Sequence, residues 1–376
     1  MLIILPSQLL PSSATGPDAI SDEFLECIEN LAIAHRKGLH IVSASPALVG
    51  RLKSRLSTDA IGIFRQIVSK YHQQAALIAF VTDYIMVEMR TDGVVTRTRE
   101  GDKQVFGVPF GMLTAFSMVQ PARLVVEDST DRDIYIRVTR SFLTFRRDIK
   151  YLSLQLHAFG GGGSSTADQF KDHAAYGPTL TIVDSDMKSP DASLGSTAAS
   201  VKSCADDIAA TTVSAVDVLP AHELENLLPG ELVEECIGAD DSAAMKTSWR
   251  DIADNYMTCS EPHRYLDLKE GVRHWDLSRW RGTSSEDYMR KATSGSTSQG
   301  SCACDHATSK RENCTQIHIA GFGSALLSRV ADRLARLTPH KLGELFWNGT
   351  FGGRSIWELL CTRILSWGIA YHRTRV

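Results

Sequence analysis

The sequence predicts an α/β protein: a central parallel sheet flanked by helices, with an N-terminal α/β domain before it and a mostly helical region after it. Three observations lead there. Apolar runs of strand length alternate with helical patterns through the first two thirds of the chain. Three of the four runs of the middle third end in acids or in a glycine turn. All six tryptophans lie at or after Trp249, in the part where apolar residues recur at helical spacing. Strands alternating with helices imply right-handed crossovers and therefore a parallel sheet. A chain of 376 residues has room for two or three domains, and the composition shifts place them at 1–118, 119–238 and 239–376.

The first domain opens with a strand at Leu2–Leu5. A helix follows over Asp22–His35, with apolar residues at Phe24, Leu25, Ile28, Leu31 and Ala32. Leu39–Val42 reads as a strand, and Ser45 with Pro46 opens a helix carrying Leu48, Val49 and Leu52. Ala76–Val81 and Ile85–Met89 read as further strands. The order strand, helix, strand and Ser-x-Ser-Pro helix loosely resembles the PIN-like nucleases. Those need an Asp at the end of the first strand, where this chain has Pro6 and Ser7. A structural or docking role is therefore expected for residues 1–118.

The middle third carries the chemistry. ARLVVEDS (122–129) reads as a buried strand ending in acid, with a helix from Thr130 to about Phe142, where Thr130 and Asp133 give a partial capping signal. LSLQLHAF (152–159) is a second strand running into Gly160–Gly163, and Ser164, Ser165 and Thr166 begin the next helix. PTLTIVDSD (178–186) is a third strand ending in two acids. TTVSAVDVLP (211–220) is a fourth, followed by a helix at HELENLL. In parallel sheets ligands gather at the carboxyl ends of the strands, where Glu127, the glycine loop, Asp184 and Asp186 fall. Strand alternation puts Asp184 and Asp186 on one side, and Asp131 lies one helical turn beyond Glu127. Carboxylates packed together repel unless hard cations sit between them. All-oxygen ligands suit Mg²⁺ or Mn²⁺, and two such ions serve phosphodiester hydrolysis. In the loop, Gly161, Gly162 and Gly163 offer backbone N–H groups to a phosphate or let the chain turn tightly.

RLVVEDSTDRDIY (123–135), FGGGGSS (159–165) and TLTIVDSD (179–186) stand in a fixed order, and together they resemble the Toprim domain. That domain is shared by topoisomerases, bacterial primases, recombination proteins and nucleases of the overcoming-lysogenization-defect type. The resemblance covers residues 119–238. It implies a metal site of Glu127, Asp131, Asp184 and Asp186, and the acid four residues after the first Glu leans toward the nucleases. VLPAHELENLL (218–228) resembles a His-x-x-Glu-Asn motif of Toprim proteins found beside ABC-type ATPases in bacterial phage defence. By that likeness Glu225 adds a carboxylate, with His222 and Asn226 nearby. Such nucleases also use a Lys as general base or charge stabiliser. Lys269 in YLDLKEGV (265–272), read as a strand that brings Asp267, Lys269 and Glu270 together, is the residue proposed for it. Two departures from the family pattern are the 118 residues before the domain and the Ser/Ala-rich stretch after the Asp-x-Asp.

Beyond residue 238, Arg273, Trp275, Arg279, Trp280 and Arg281 interleave cations with indoles. That mixture can hold phosphates and stack on bases; core tryptophans with solvated arginines would look alike. Arg137, Arg140, Arg146, Arg147 and Lys150 form a second basic group, read as a solvated face or as phosphate steering. Cys302, Cys304, Cys314 and His318 have a spacing that could hold one tetrahedral structural zinc, although the surrounding stretch of 293–312 reads as a flexible low-complexity loop. Leu326, Val330, Leu334, Leu345, Ile356, Leu359, Leu360 and Ile364 continue in helical spacing. Trp347, Trp357 and Trp367, ten apart, are expected on one side of a helical pack.

Composition narrows the partners. A net charge of -4 excludes a globally basic nucleic-acid coater. The longest apolar runs, such as AALIAFV at 75–81, are too short to cross a bilayer. Eight cysteines without a secretory signal point to a reducing compartment, the cytoplasm. The leading expectation is a Mg²⁺- or Mn²⁺-dependent endonuclease acting on DNA or RNA with two ions. The resemblance makes it an anti-phage effector with an ATPase partner subunit, because no GxxxxGK[ST] motif occurs in this chain. The alternative is a non-catalytic Toprim scaffold that binds an ATPase or nucleic acid. A homo-oligomer is compatible with either. A topoisomerase would need a tyrosine-nucleophile domain, and a primase would need a template-binding module.

Overall fold

The computed structural model describes residues 1–10, 20–237, 242–258, 260–294, 296, 304, 306–348 and 351–372. Two sheets organise it. The first is built from β1 (Leu2–Leu5), β2 (Ile41–Ala44), β3 (Asp83–Glu88), β4 (Thr96–Glu100) and β5 (Lys103–Pro109), in the order β2-β1-β3-β5-β4. Only β4 runs antiparallel to its neighbour. Its helices are α1 (Asp22–Arg36), α2 (Pro46–Leu52), α3 (Thr58–Ser69), α4 (Tyr71–Phe80) and α5 (Phe110–Thr114). Ser21, Ser45 and Ser57 cap α1, α2 and α3 through their hydroxyl oxygens. The expected strand at Ala76–Val81 is instead the end of α4. A short apolar run carries no period of its own, and here Gln74 and Leu77, three apart, are the residues the helix buries.

The second sheet is all parallel: β6 (Ala122–Val126), β8 (Leu156–Gly160), β9 (Thr179–Val183) and β10 (Ser214–Val218), in the order β10-β9-β6-β8. The helices α6 (Ser129–Phe145), α7 (Thr166–Tyr176) and α8 (Ser196–Ile208) connect these strands. The expected strand over 152–159 is two strands. β7 (Leu152–Leu154) leaves the sheet to pair with the last strand of the chain, β13 (Ile369–Tyr371). The helix expected at HELENLL is a single 3₁₀ turn, Leu224–Leu227, ahead of α9 (Gly230–Cys236).

The C-terminal region holds α10 (Ala243–Met257), α11 (Glu261–Arg264), α12 (His274–Arg279), α13 (Ser284–Ala292), α14 (Ala325–Arg336), α15 (Pro339–Gly343) and α16 (Arg354–Gly368), with a small hairpin of β11 (Gly271–Arg273) and β12 (Ile317–Ala320). It is not a separate layer. Trp347 packs on Phe142 of α6, Trp357 on Tyr135 of α6, and Trp367 on Phe106 of β5. The three indoles therefore do not share one side: ten residues is not a whole number of helical turns, so Trp357 faces α6, as Trp347 does, while Trp367 faces β5. Leu359 departs from the expected apolar face and is exposed. Arg363 of α16 reaches both sheets, with Nη1 2.6 Å from the Asp83 carboxylate and Nε 3.0 Å from Asp217. One hydrophobic core runs from Met1 to Tyr371, and a small second one lies under α7 and α8. Among the described residues no helix is long and apolar enough to cross a membrane.

Candidate metal centre

β6 is central in its sheet, and Val126 is paired with Gly160 on one side and Ile182 on the other. The residues that follow each strand, Glu127, the glycine loop and Asp184, therefore leave the sheet side by side. Glu127 Oε1 accepts a hydrogen bond from the backbone N–H of Asp184 at 3.0 Å. A cleft of about 320 Å³ opens there, lined by Glu127, Asp128, Asp131, Gly163, Asp184 and Lys269 together with Ser324 and Ser328 at the start of α14.

Asp131 is buried in the first turn of α6. Asp128 is the N-cap: its carboxylate accepts from Thr130 N–H at 2.6 Å, and Asp131 Oδ2 accepts from Asp128 N–H at 3.1 Å. The cap signal therefore lies two residues earlier than the Thr130 and Asp133 pair, and it includes a carboxylate of the site. Asp184 is half-buried beside them.

Two more acids arrive from the 3₁₀ turn. Glu225 is fully buried, and Glu223 nearly so. Lys269 Nζ sits 3.1 Å from Glu223 Oε1 and 3.4 Å from Glu225 Oε1. Neither Glu225 oxygen, nor Glu223 Oε2, has a hydrogen-bond partner. Glu223 was not among the expected residues. The sequence reads a helix at this point, and the 3₁₀ turn that Glu223 caps is what brings it to Lys269.

The electrostatics follow from this crowding. Burial pushes Glu127 up to about 7, and Asp186 and Glu223 add to the shift. Burial, then the charges of Glu225 and Asp128, push Asp131 up to about 7. Asp184 and Glu225 are raised too, by burial first; Asp131 and Glu127 add to it at Asp184, while Lys269 opposes it at Glu225. Burial works against the Lys269 ammonium, but Glu225 and Glu223 outweigh it and hold its pKa above the ordinary lysine value. A lysine so held keeps its proton in this surround of carboxylates. It is delivered by a turn and not by the expected strand. Asp267 Oδ1 accepts from Glu270 N–H at 2.8 Å, and Glu270 turns away to Arg311 at 3.0 Å.

Asp186 is not on the cleft wall with Asp184. β9 ends at Val183, and Asp186 has φ +53°, so strand alternation no longer applies at that position. Among the described residues, one group of three metal-ligating side chains has its ligand atoms all within 4.8 Å: Asp186, His222 and Glu223. His222 is itself engaged. Nδ1 lies 3.1 Å from the Met187 carbonyl, and Nε2 lies 2.9 Å from Lys188 Nζ, which also reaches Asp267 at 3.1 Å. The imidazole fits as donor through Nδ1 and acceptor through Nε2. Asn226 donates to the carbonyls of His263 and Leu266, clamping the 3₁₀ turn to the segment that carries Lys269.

The glycine loop is built for tight turning. Gly161 N–H donates to the Val126 carbonyl at 2.5 Å, and the N–H groups of Gly162 and Gly163 donate to the Glu127 carbonyl at 2.9 and 3.1 Å. Gly162 and Gly163 have positive φ. A Cβ on Gly161 would lie 2.9 Å from Thr166 Cα. The three amides are engaged by the fold, which corrects the expectation of a phosphate cradle.

The other expected sites do not converge. Arg273 Nη1 donates to the Cys314 carbonyl at 2.9 Å, and Trp275 Nε1 to the Ser309 carbonyl at 2.8 Å. Trp280 packs against the core, while Arg279 and Arg281 are exposed, with Arg279 over the Trp275 ring. Arg273, Trp275 and Trp280 thus hold the subdomain together. Cys302 lies outside the described residues. Cys304 and Cys314 direct their thiols to the carbonyls of Asn313 and Gln316, and His318 stacks on His274. Compared with protein-family models, with curated proteins and with solved structures, the chain has no match.

Proposed function

We propose that the cleft holds divalent cations and that the protein is a Toprim-like phosphodiester hydrolase acting on DNA or RNA. One observation carries this reading. Glu127, Asp131 and Asp184 line the cleft with Lys269, that lysine pairs with Glu223 and Glu225, and three buried oxygens of these two glutamates have no hydrogen-bond partner. Buried carboxylates in such excess cost folding energy unless a cation balances them. The donors are all hard oxygens, which suits Mg²⁺ or Mn²⁺.

Glu127, Asp131, Asp184, Glu223 and Glu225 would hold the ions, with Asp186 beside Glu223. When bound, such ions polarise a phosphoryl oxygen and activate water. The chain's own contributions are positional. The Asp184 N–H fixes the Glu127 carboxylate. The α6 cap fixes Asp131. Lys269 keeps its proton and can face the negative charge that grows on the phosphate. Lys188 and His222 tie the loop after Asp186 to the turn that carries Glu223 and Glu225. By the resemblance, the protein is an anti-phage effector with an ATPase partner.

Nicking of supercoiled plasmid with Mn²⁺ or Mg²⁺ tests the reading. Cleavage is expected in the wild type and absent in Glu127→Ala and Asp184→Ala. A folded protein that binds nucleic acid and never cleaves it would leave the scaffold alternative.

A further inference from the structure

We propose that the groove between α6 and the edge strand β8 is the track along which the phosphate backbone of a polynucleotide reaches the cleft; this rests on the hydrolase reading above. The groove, about 370 Å³, is lined by Arg132, Asp133, Ile136, Arg137, Arg140 and β8. It lies along the two elements that lead to the cleft. α6 begins at the cleft with Thr130 and Asp131 and presents Arg137 and Arg140 further on. β8 runs past the groove and on into the glycine loop, whose Gly163 lines the cleft.

The charges select the occupant. Arg132 is paired with Asp133 at 2.9 Å. Arg137 and Arg140 make no ion pair among the described residues, although the chain as a whole is acidic. Unpaired arginines in a groove on the helix that begins at the carboxylate site suit a polyanion whose reactive phosphate meets bound cations. From Arg132 to Arg140 the helix rises ~12 Å, a length that spans more than one phosphate of a strand. β8 is an outer strand of its sheet, so among the described residues no further strand pairs with it on that side.

The test compares two substrates in full-length protein: a fluorescein-labelled 30-nucleotide single-stranded DNA and bis(p-nitrophenyl) phosphate, a diester too small to fill the groove. Arg137→Ala/Arg140→Ala is expected to weaken DNA binding about tenfold and to reduce the slope of log affinity against log salt by about 1.4, since each phosphate contact contributes ~0.7 on a single strand. Its Mn²⁺-dependent hydrolysis of the small diester is expected to match the wild type. Unchanged DNA affinity and salt slope would overturn the track and leave the β8 edge as a surface for a protein strand. Equal loss on both substrates would also overturn it, since the arginines would then support the fold. If wild-type protein hydrolyses neither substrate but the variant still loses DNA binding, the hydrolase reading fails and the track stands.

Discussion

Lys269 is the pivot of the site at the scale of single residues. It is the one cation within 4 Å of Glu223 and Glu225 among the described residues. Replacing it by Met leaves both acids buried without a counter-charge, and removing one partner of a buried pair typically costs about 3–5 kcal/mol. The side chain is one-third exposed, so the lower end of that range is expected. Bound cations would take over the missing charge. Lys269→Met should therefore lose more melting temperature in EDTA than in Mn²⁺, which thermal unfolding in the two buffers measures. Equal losses would place the lysine outside the metal centre. Glu127 and Asp184 were legible as neighbours at one sheet edge because each follows a strand end, and Asp131 because it lies one helical turn on; Lys269 was named by resemblance alone and reaches the cleft from a turn instead of the expected strand. The sequence hid Glu223, because its partner Lys269 comes from a segment 46 residues away.

The glycine loop and the turn after β10 set the precision of the site at the scale of elements. A Cβ on Gly160 would lie 2.7 Å from Ser129 N and 3.1 Å from its Cα, both at the start of α6. Gly160→Ala must push α6 and the edge strand apart. A destabilisation of about 1–3 kcal/mol is expected, together with loss of Mn²⁺ binding, because Asp131 rides on that helix. Urea unfolding and metal titration check the two parts separately. Strands ending in acid were legible here, since their apolar runs are bounded by Pro, Gly or charge. Ala76–Val81 was misread because its period is ambiguous, and LSLQLHAF because β7 takes its partner from the far end of the chain, which no local pattern records.

At the scale of the whole molecule, α16 joins the two sheets. Asp83 is fully buried against Arg363, and burial outweighs the guanidinium enough to push the carboxyl up to about 6. The folded state then holds the Asp83 proton more tightly than the unfolded chain does. This contribution is complete below the unfolded value of 3.8 and is lost as pH rises through about 6. It amounts to ~3 kcal/mol, two pH units at 1.36 kcal/mol each. Asp83→Asn should therefore gain stability relative to the wild type by up to ~3 kcal/mol between about pH 4 and pH 7. Denaturant unfolding across that range measures it, and a constant difference would contradict the assignment. The α/β class and the parallel central sheet were legible from alternation alone. The joint was not, because Asp83, Asp217 and Arg363 are far apart in the chain and each reads alone as a surface charge.

The most direct test of the central claim is calorimetric titration of the metal-free protein with Mn²⁺, side by side with Asp184→Asn. The account predicts saturable binding to the wild type and its loss, or a large weakening, in the variant. Heats in the wild type no larger than those of dilution, or identical binding by both proteins, would contradict it.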